Sequence, residues 1–244
     1  MTLKGCFPVL CTPFGPDGQI DETDFADLVD FVIATGADGC VFPGMASEVE
    51  TLRDTERDAM VARLGQALAG RIPFITAASA AAPEASLHHI AKGARAGAVA
   101  AMIMAPAHLG DDVAAHIAHF RQIAAASDLP LMLQNAPRPN GAGLAPEAVA
   151  AIANAVPAIV WIKEETQPCG QHLTRIRAAA TDHVLGVFGG AGGRSITDEL
   201  ARGALGTLPA SELADLHVRL VRAWDRGDQA EARRLFMLTL PLLS

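Results

Sequence analysis

One lysine of this sequence occupies a position where a charged side chain is costly. Lys163 ends the apolar run 158–162 within the segment AIVWIKEE, in a chain that contains only three lysines. Burial lowers the pKa of a lysine, so that part of its population is a free amine, and a free amine attacks a ketone to form an imine. On the pattern alone, a lysine that extends to solvent or pairs with Glu164 or Glu165 is the more common case. Both interpretations remain open at this point.

No other group of residues indicates a metal or a cofactor. The cysteines are scattered without a C-x-x-C pair, which argues against zinc and disulfides and favours a reducing cytoplasm. His116 and His119 are one helical turn apart, but on a helix outside a barrel we expect exposed or interface histidines rather than metal ligands. The glycine-rich segment 189–194 is weak evidence for a phosphate site, and close approach of its backbone to a substrate is preferred. No metal and no cofactor is therefore predicted.

Composition restricts the partners of this chain. It has 244 residues, half of them hydrophobic, with a formal net charge of −8 and a pI near 5.4. This acidic balance argues against nucleic acid and anionic membranes as main partners and leaves small molecules. The N-terminus does not resemble a signal peptide, and no apolar run reaches the roughly 20 residues of a membrane span, so a cytoplasmic location is expected. Tyrosine is absent from the sequence.

Short apolar runs alternate with longer amphipathic segments. The runs predict strands, mostly covered on both faces as in parallel sheets, at 6–12, 39–43, 73–77, 101–105, 130–135, 159–163, 184–188 and 203–208. The helices between them are predicted at 22–34, 54–68, 84–96, 111–126, 147–155, 170–181 and 194–202. Eight β-then-α units in about 250 residues favour a closed (β/α)8 TIM barrel, an α/β fold, over a doubly wound sheet.

The predicted barrel fills residues 1–211, and residues 212–244 are predicted to form C-terminal helices that pack on it. In such barrels the active site forms at the C-terminal ends of the strands. These ends carry CTPF, PGMASE, MAP, QNAP, KEET, GGAGG and GTLP in chain order. Lys163 therefore lies at the mouth of the predicted barrel, where an imine-forming amine would be useful.

Several of these segments resemble the dihydrodipicolinate synthase/N-acetylneuraminate lyase family. The segments that carry the resemblance are GCFPVLCTPFGPDGQID, GADGCVFPGMASEVETLRDTER, LPLMLQNAPRPNGAGL and IVWIKEET. The resemblance runs through all eight units in order. It implies an imine-forming (β/α)8 barrel, usually a tetramer, that acts on a 2-oxo acid without a cofactor, and it assigns the imine to Lys163.

The chain departs from that family in an informative way. The synthase and lyase branches carry a tyrosine where this chain has Gln134, and their loop after the second strand has two threonines where this chain has Met45 and Ala46. The branch of 2-keto-3-deoxy-sugar-acid dehydratases, such as L-2-keto-3-deoxyarabonate dehydratases, is more similar at several points. It shares a Ser-Glu pair (47–48), a glutamine opening the fifth-strand motif and a Glu-Thr pair (165–166).

The resemblance supplies roles for the remaining residues. Lys163 forms the imine at C2, and Gln134, which cannot titrate, orients the imine or a water. Glu165 either donates and accepts protons or is a solvated or ion-paired acid. The substrate carboxylate is expected at the backbone N–H of Ala46 and at Ser47. A helix cap is the alternative role for Ser47. Further substrate-binding positions are predicted at Thr166, Gly189 and Thr207.

Three functions follow from these roles. The leading one is a lyase that dehydrates a 2-keto-3-deoxy sugar acid by losing the C4 hydroxyl. The second is a class I aldolase of the same family that releases pyruvate, and the third is a barrel that binds 2-oxo acids without turnover. Because family members usually continue further at the C-terminus, truncation of the chain is an alternative to a complete tail.

Overall fold

Strands and α-helices alternate in the computed structural model, which describes residues 3–243. The strands are β1 (Gly5–Cys6), β2 (Cys40–Phe42), β3 (Phe74–Ala77), β4 (Ala100–Met104), β5 (Leu131–Asn135), β6 (Ile159–Glu164), β7 (Gly186–Phe188) and β8 (Gly206–Thr207). The helices are α1 (Glu22–Ala34), α2 (Asp54–Leu68), α3 (Pro83–Arg95), α4 (Val113–Ala126), α5 (Pro146–Ala155), α6 (Cys169–Ala179), α7 (Ile196–Ala201), α8 (Ala214–Asp225) and α9 (Gln229–Leu243).

The strands close into a ring of eight. Strands β2 to β7 pair in sequence order and in parallel, and β1 pairs in parallel with β8. Two single bridges join these sheets, one between Val9 and Val41 and one between Gly189 and Thr207. The predicted TIM barrel is therefore confirmed, and all strand ends that carry polar residues meet at one mouth.

Local sequence signals fix where several helices begin. Asp21 accepts hydrogen bonds from the backbone N–H groups of Thr23 and Asp24, so its carboxylate caps α1. Asp112 caps α4 through the N–H of Ala115. Helices α3 and α5 open with a proline, which has no N–H to leave unpaired in the first turn. These signals place each helix against the outer face of the strand before it.

Apolar side chains fill the barrel and the space outside it. The interior is packed by a cluster that includes Phe7, Met102, Met132, Trp161 and Phe188, and the rings of Phe7 and Phe188 meet edge to face at 5.9 Å. Separate clusters lie between the strands and the helices. Successive residues of a strand therefore face different layers, and this alternation separates the functional side chains at the mouth.

Six strands are shorter than the apolar runs that predicted them, and the difference is largest in β1 and β8. The first run, 6–12, pairs regularly only at Gly5–Cys6, although Val9 still bridges two neighbours. Pro8 lies between them and has no N–H to donate to a ladder. The last run begins at Gly206 rather than at Gly203, because Gly203 adopts φ +87 in the turn that ends α7. Strand β7 begins at Gly186 instead of residue 184.

The C-terminal segment forms a helical hairpin on the barrel. Helix α8 contacts β1 and packs along α9, and Gly227 at φ +79 forms the turn between them. The Arg194 guanidinium donates to the carbonyl of Leu243, which holds the end of α9 against the loop after β7. Met237 and Leu242 on α9 are exposed.

The predicted boundary between the barrel and the C-terminal helices, at residues 211/212, stays a prediction. Within residues 3–243, no helix has the length and apolar character that crossing a bilayer requires.

Candidate active site

Lys163 lies inside the barrel mouth. It sits near the end of β6, opposite Gln134 of β5 in the strand register, and is only 3% exposed. A cavity of about 170 Å³ opens beside it and is also lined by Glu165, Gln134, Ala46 and Leu208. The lysine predicted from the sequence is therefore a buried amine that borders an internal space.

A buried carboxylate accompanies the amine. The Nζ atom of Lys163 lies 3.1 Å from Oε1 of Glu165. The amide of Gln134 donates to Oε2 of Glu165 over 2.6 Å, and the backbone N–H of Ala191 donates to Oε1 over 2.8 Å. Burial by itself raises the pKa of Glu165, but the charge of Lys163 and these two donors outweigh it and hold the pKa below its ordinary value. Glu165 is therefore ionised and prepared to accept a proton.

The neighbouring glutamate faces the opposite side of the barrel wall. Glu164 accepts hydrogen bonds from Asn135 (2.8 Å), from the backbone N–H of Thr166 (2.6 Å) and from the Thr166 hydroxyl. The Thr166 hydroxyl also contacts Nδ1 of His172 at 2.7 Å. Burial raises the pKa of Glu164 to about 7, against the opposing effect of its hydrogen bonds. Glu164 thus belongs to the layer between strands and helices.

Another buried acid, Glu199 of α7, occupies the same outer layer. It is 1% exposed, and neither carboxylate oxygen has a hydrogen-bond partner among the described residues. Burial, together with the charge of Glu165, raises the pKa of Glu199 to about 8, although the nearby Cys169 thiol opposes the shift. The sequence analysis missed this residue because an acid in the segment TDEL is typical of a solvated helix face.

The loop after β2 holds its serine in internal hydrogen bonds. The Ser47 hydroxyl donates to the carbonyl of Leu10 and accepts from the N–H of Gly44 at 2.9 Å. Its own N–H donates to the carbonyl of Gly44, and its carbonyl accepts from Thr12. Ser47 thereby fixes the loop that brings Ala46 to the small cavity. A direct contact of Ser47 with substrate stays a prediction.

Apart from Ser47, the site residues predicted from the sequence divide into two groups. Lys163, Gln134, Glu165 and Ala46 come together at the small cavity. Thr166, Gly189 and Thr207 lie in the outer layer or in the wall, and they are not among the residues that line that cavity. A Cβ added at Gly189 would lie 1.9 Å from Glu199, whereas one at Gly190 would lie 2.4 Å from Glu165. Substrate binding by Thr166, Gly189 and Thr207 stays a prediction.

A larger cavity of about 600 Å³ adjoins the small one. Gly44, Met45 and Gln134 line both cavities, so the two spaces share a wall. The far side of the larger cavity is formed by polar residues of α2 and α3, including Arg57 and His89. The sequence analysis missed these two residues, because both belong to amphipathic helices and no strand-end motif contains them.

Among the described residues, one group has the composition of a metal site. Asp58, His88 and His89 place one ligand atom each within 4.8 Å of one another. The ammonium of Lys92, however, lies 2.6 Å from Asp58 and already neutralises its charge.

His116 and His119 were expected to be exposed or at an interface, and this expectation is wrong: they are 0% and 6% exposed, because α4 turns them toward the protein.

Comparisons with known proteins identify the family and agree with the barrel fold. The model of the dihydrodipicolinate synthetase family matches residues 2–244. A 4-hydroxy-tetrahydrodipicolinate synthase of Maridesulfovibrio salexigens is 32% identical over 171 residues, which are 70% of this chain and 58% of that protein. The chain thus spans about three fifths of the length of the first relatives that it matches.

Two further relatives extend over the whole chain. An L-2-keto-3-deoxyarabonate dehydratase of Azospirillum brasilense is 27% identical over 244 residues, covering 99% of this chain and 79% of that protein. The crystal structure of YagE, a prophage protein of the dihydrodipicolinic acid synthase family from Escherichia coli K12 in complex with pyruvate, has a TM-score of 0.90 and 26% identity. The similarity covers 99% of this chain and 82% of the YagE chain.

Proposed function

The chain belongs to the dihydrodipicolinate synthetase family, and from this premise we propose that it is a lyase whose Lys163 forms an imine with a 2-oxo acid. The substrate class is 2-keto-3-deoxy sugar acids, and the reaction is loss of water. One observation carries the proposal: a buried amine 3.1 Å from an ionised carboxylate at the edge of an internal cavity. The dehydratase from Azospirillum brasilense and the pyruvate complex of YagE support it.

The first step needs a base beside the amine. An ammonium must lose a proton before its nitrogen attacks the carbonyl carbon at C2, and Oε1 of Glu165 is within reach of that proton. The carbonyl oxygen leaves as water when the imine forms. Gln134 holds the other oxygen of Glu165 at 2.6 Å and so fixes the orientation of the carboxylate.

The second step is a β-elimination. The protonated imine withdraws electrons, so the C3–H bond is acidified, and a carboxylate can accept that proton to give an enamine. The enamine pair then expels the C4 hydroxyl, which leaves as water after receiving a proton. In this proposal Glu165 accepts the C3 proton and returns one to the departing hydroxyl. The C3–H and C4–O bonds break, a double bond forms between C3 and C4, and the oxidation level of the substrate does not change, so the step needs no redox group.

Elimination suits this site better than the synthase reaction. The sequence has no tyrosine, so neither this chain nor an identical neighbour can supply the phenol found in the synthase and lyase branches. The aldolase alternative is favoured by one observation: ionised Glu165 can accept the C4 hydroxyl proton that retro-aldol cleavage must remove.

We also propose that the protein is a homotetramer and that it is located in the cytoplasm.

Reductive trapping tests the imine. The protein is incubated with pyruvate and borohydride, digested and mapped by mass spectrometry. Because the chain has only three lysines, the modified one is assigned without ambiguity. We expect modification at Lys163, none in Lys163→Met, and wild-type trapping in the control Lys92→Met. Absence of trapping in the wild type would leave only the non-catalytic binder.

Product analysis then separates the two lyases. A dehydratase keeps the carbon skeleton of the sugar acid, whereas an aldolase releases pyruvate and an aldehyde. We expect a product that has lost one water and no pyruvate above the amount in a Lys163→Met control. Release of pyruvate in proportion to the substrate consumed would replace dehydration with aldol cleavage.

A further inference from the structure

The polar side of the larger cavity contains an arginine without a carboxylate partner. Arg57 of α2 is 8% exposed and lines this cavity. One of its nitrogens, Nη2, donates to the carbonyl of Ala77 over 2.7 Å, and within residues 3–243 it forms no ion pair. A guanidinium has five N–H donors, and the charges of Asp54, Asp58 and Glu50 act on Arg57, although none of these carboxylates accepts a hydrogen bond from it among the described residues. Donors on the cavity side are therefore available to an anionic ligand.

The larger cavity extends from Gln134, beside the amine, to this arginine. Gln134, which lies opposite Lys163 in the register of β5 and β6, also lines the larger cavity. Ala77, which anchors Arg57, is at the end of β3, three strand spacings from β6. Three spacings amount to about 14 Å along the sheet and less across the mouth. A ligand with C2 at Lys163 would need several carbons beyond C4 to reach Arg57.

We propose that Arg57 binds an anionic group at the far end of the substrate, so that the preferred substrates are 2-oxo-3-deoxy acids with a second, terminal acid group. This inference rests on the proposed function and specifies its substrate. A terminal carboxylate or phosphate has two oxygens that accept parallel N–H hydrogen bonds from one guanidinium. A terminal hydroxymethyl group has only one oxygen and no charge, so it cannot bind in this way. Arg57 is therefore a specificity-determining residue, separate from the reacting atoms.

The surroundings of Arg57 are compatible with this role. His89 lines the same cavity and its Nδ1 atom has no partner among the described residues. Burial and the charge of Arg57 lower the pKa of His89 to about 4, so this ring is neutral and can hydrogen-bond to a hydroxyl near the terminal group. Glu50 and Asp54 also line the cavity, but both are exposed, where solvent and salt screen their repulsion of an anion.

Substrate preference tests the inference directly. Three 2-oxo-3-deoxy acids of one chain length are compared, ending in a hydroxymethyl group, a carboxylate or a phosphate. In the wild type we expect kcat/KM for at least one of the two acidic ends to exceed that for the hydroxymethyl end about tenfold or more. The relative rates of carboxylate and phosphate identify the source of the charge. Equal or better turnover of the hydroxymethyl end would overturn the inference without any variant.

Substitution at Arg57 assigns the preference to this residue. We expect Arg57→Gln to remove the advantage of the acidic end while turnover of the hydroxymethyl end changes only a few fold, and Arg57→Lys to restore part of it. Arg63→Gln is the matched control. Arg63 lies on the same helix and pairs with Glu22 at the surface. An equal fall for all three substrates in Arg57→Gln would mean that Arg57 is only structural.

Trapping with pyruvate keeps the two proposals distinguishable. Pyruvate has no distal end, so the Arg57 variants should trap it on Lys163 like the wild type. Normal trapping without a preference for acidic ends would overturn the role of Arg57 and leave the proposed function intact. Absence of trapping in the wild type would remove the proposed function itself, and with it this inference.

Discussion

The last residue of β6 and the residue that follows it are two buried glutamates on opposite sides of the barrel wall, and their surroundings shift their pKa values in opposite directions. On the inner side, Glu165 lies 3.1 Å from the Lys163 ammonium and its pKa is below the ordinary value. On the outer side, Glu164 has only neutral donors, and its pKa rises to about 7. Glu199 in the same outer layer has no protein donor among the described residues, and its pKa rises to about 8.

This difference shows that burial alone does not prepare a carboxyl group for catalysis. All three acids are at least nine-tenths buried. What distinguishes Glu165 is a cation within ion-pair distance, because Glu164 also accepts hydrogen bonds. A charged partner compensates for desolvation, whereas neutral hydrogen bonds do so only in part. The inner face thus holds a charged acid–amine pair, whereas on the outer face Glu199 is mostly protonated and Glu164 about half protonated at pH 7.

Replacing each of these two adjacent glutamates by glutamine should give the largest contrast. Glu165→Gln removes the base beside Lys163, so we expect kcat to fall about 100-fold to 1000-fold. Glu164→Gln is the matched control at the neighbouring position. It places an amide against the Asn135 donor and should cost about 1–3 kcal/mol of unfolding free energy with a much smaller loss of activity.

Steady-state kinetics and urea unfolding of both variants are the measurements. Activity must be compared per folded molecule, at a temperature well below the unfolding transition of the less stable variant. If Glu164→Gln lost as much activity as Glu165→Gln, the separation of the two faces would be wrong.

Two adjacent glycines allow a second, smaller contrast. A Cβ at Gly190 would lie 2.4 Å from Oε1 of Glu165 and 2.6 Å from Cε of Lys163, whereas one at Gly189 would lie 1.9 Å from Glu199. Gly190→Ala should therefore displace the inner pair and lower kcat/KM about 100-fold. Gly189→Ala should mainly lower the unfolding free energy, by about 1–3 kcal/mol from overpacking.

The same kinetic and unfolding measurements apply to the two alanine variants. Because Gly189 was also predicted to bind substrate, the comparison decides that prediction as well. A loss of kcat/KM in Gly189→Ala equal to that in Gly190→Ala would place Gly189 at the substrate.

Much of the fold could be predicted because its signals are local. Continuous apolar runs, helix caps such as Asp21 and prolines at the first helical turn depend on neighbours in sequence, and they located the eight β-then-α units. Strand ends were harder to predict. Whether Cys6 or Val9 pairs regularly depends on partners far along the chain, and Pro8 interrupts the ladder in a way that apolar character does not show.

The candidate site divides in the same way. Lys163 and Glu165 could be found because a charged residue at the end of a buried strand is unusual, and period-two alternation then puts both on one face. Arg57 and Glu199 could not, because charged residues on amphipathic helices are ordinary in a sequence. Only the packing of α2 and α7 against the barrel shows that these two side chains are buried.

The smallest expected effect concerns the pH dependence of stability. An unfolded glutamate releases its proton near 4.5, while folded Glu199 keeps it to about 8. A raised folded pKa gives stability that is fully present below pH 4.5 and is lost as the pH rises through 8. Glu164 acts in the same direction up to about pH 7, and the lowered pKa values of His89 and His217, about 4, act oppositely below pH 6.5. Between pH 7 and 8, Glu199 is therefore the main contributor.

Glu199→Gln removes this titration and should leave only the smaller slope of the unfolding free energy that Glu164 contributes between pH 7 and 8. The wild type should lose up to about 1 kcal/mol over the same interval, since one proton per molecule corresponds to about 1.4 kcal/mol per pH unit. Urea unfolding at pH 7.0, 7.5 and 8.0 measures both slopes. Glu147→Gln is the control, because the hydrogen bond from Arg175 holds the pKa of Glu147 below its ordinary value, so its effect falls below pH 4.5 and the wild-type slope should be unchanged in this interval. If Glu199→Gln kept the wild-type slope, Glu199 would be ionised in the folded protein, and the outer layer would have to contain a counter-charge.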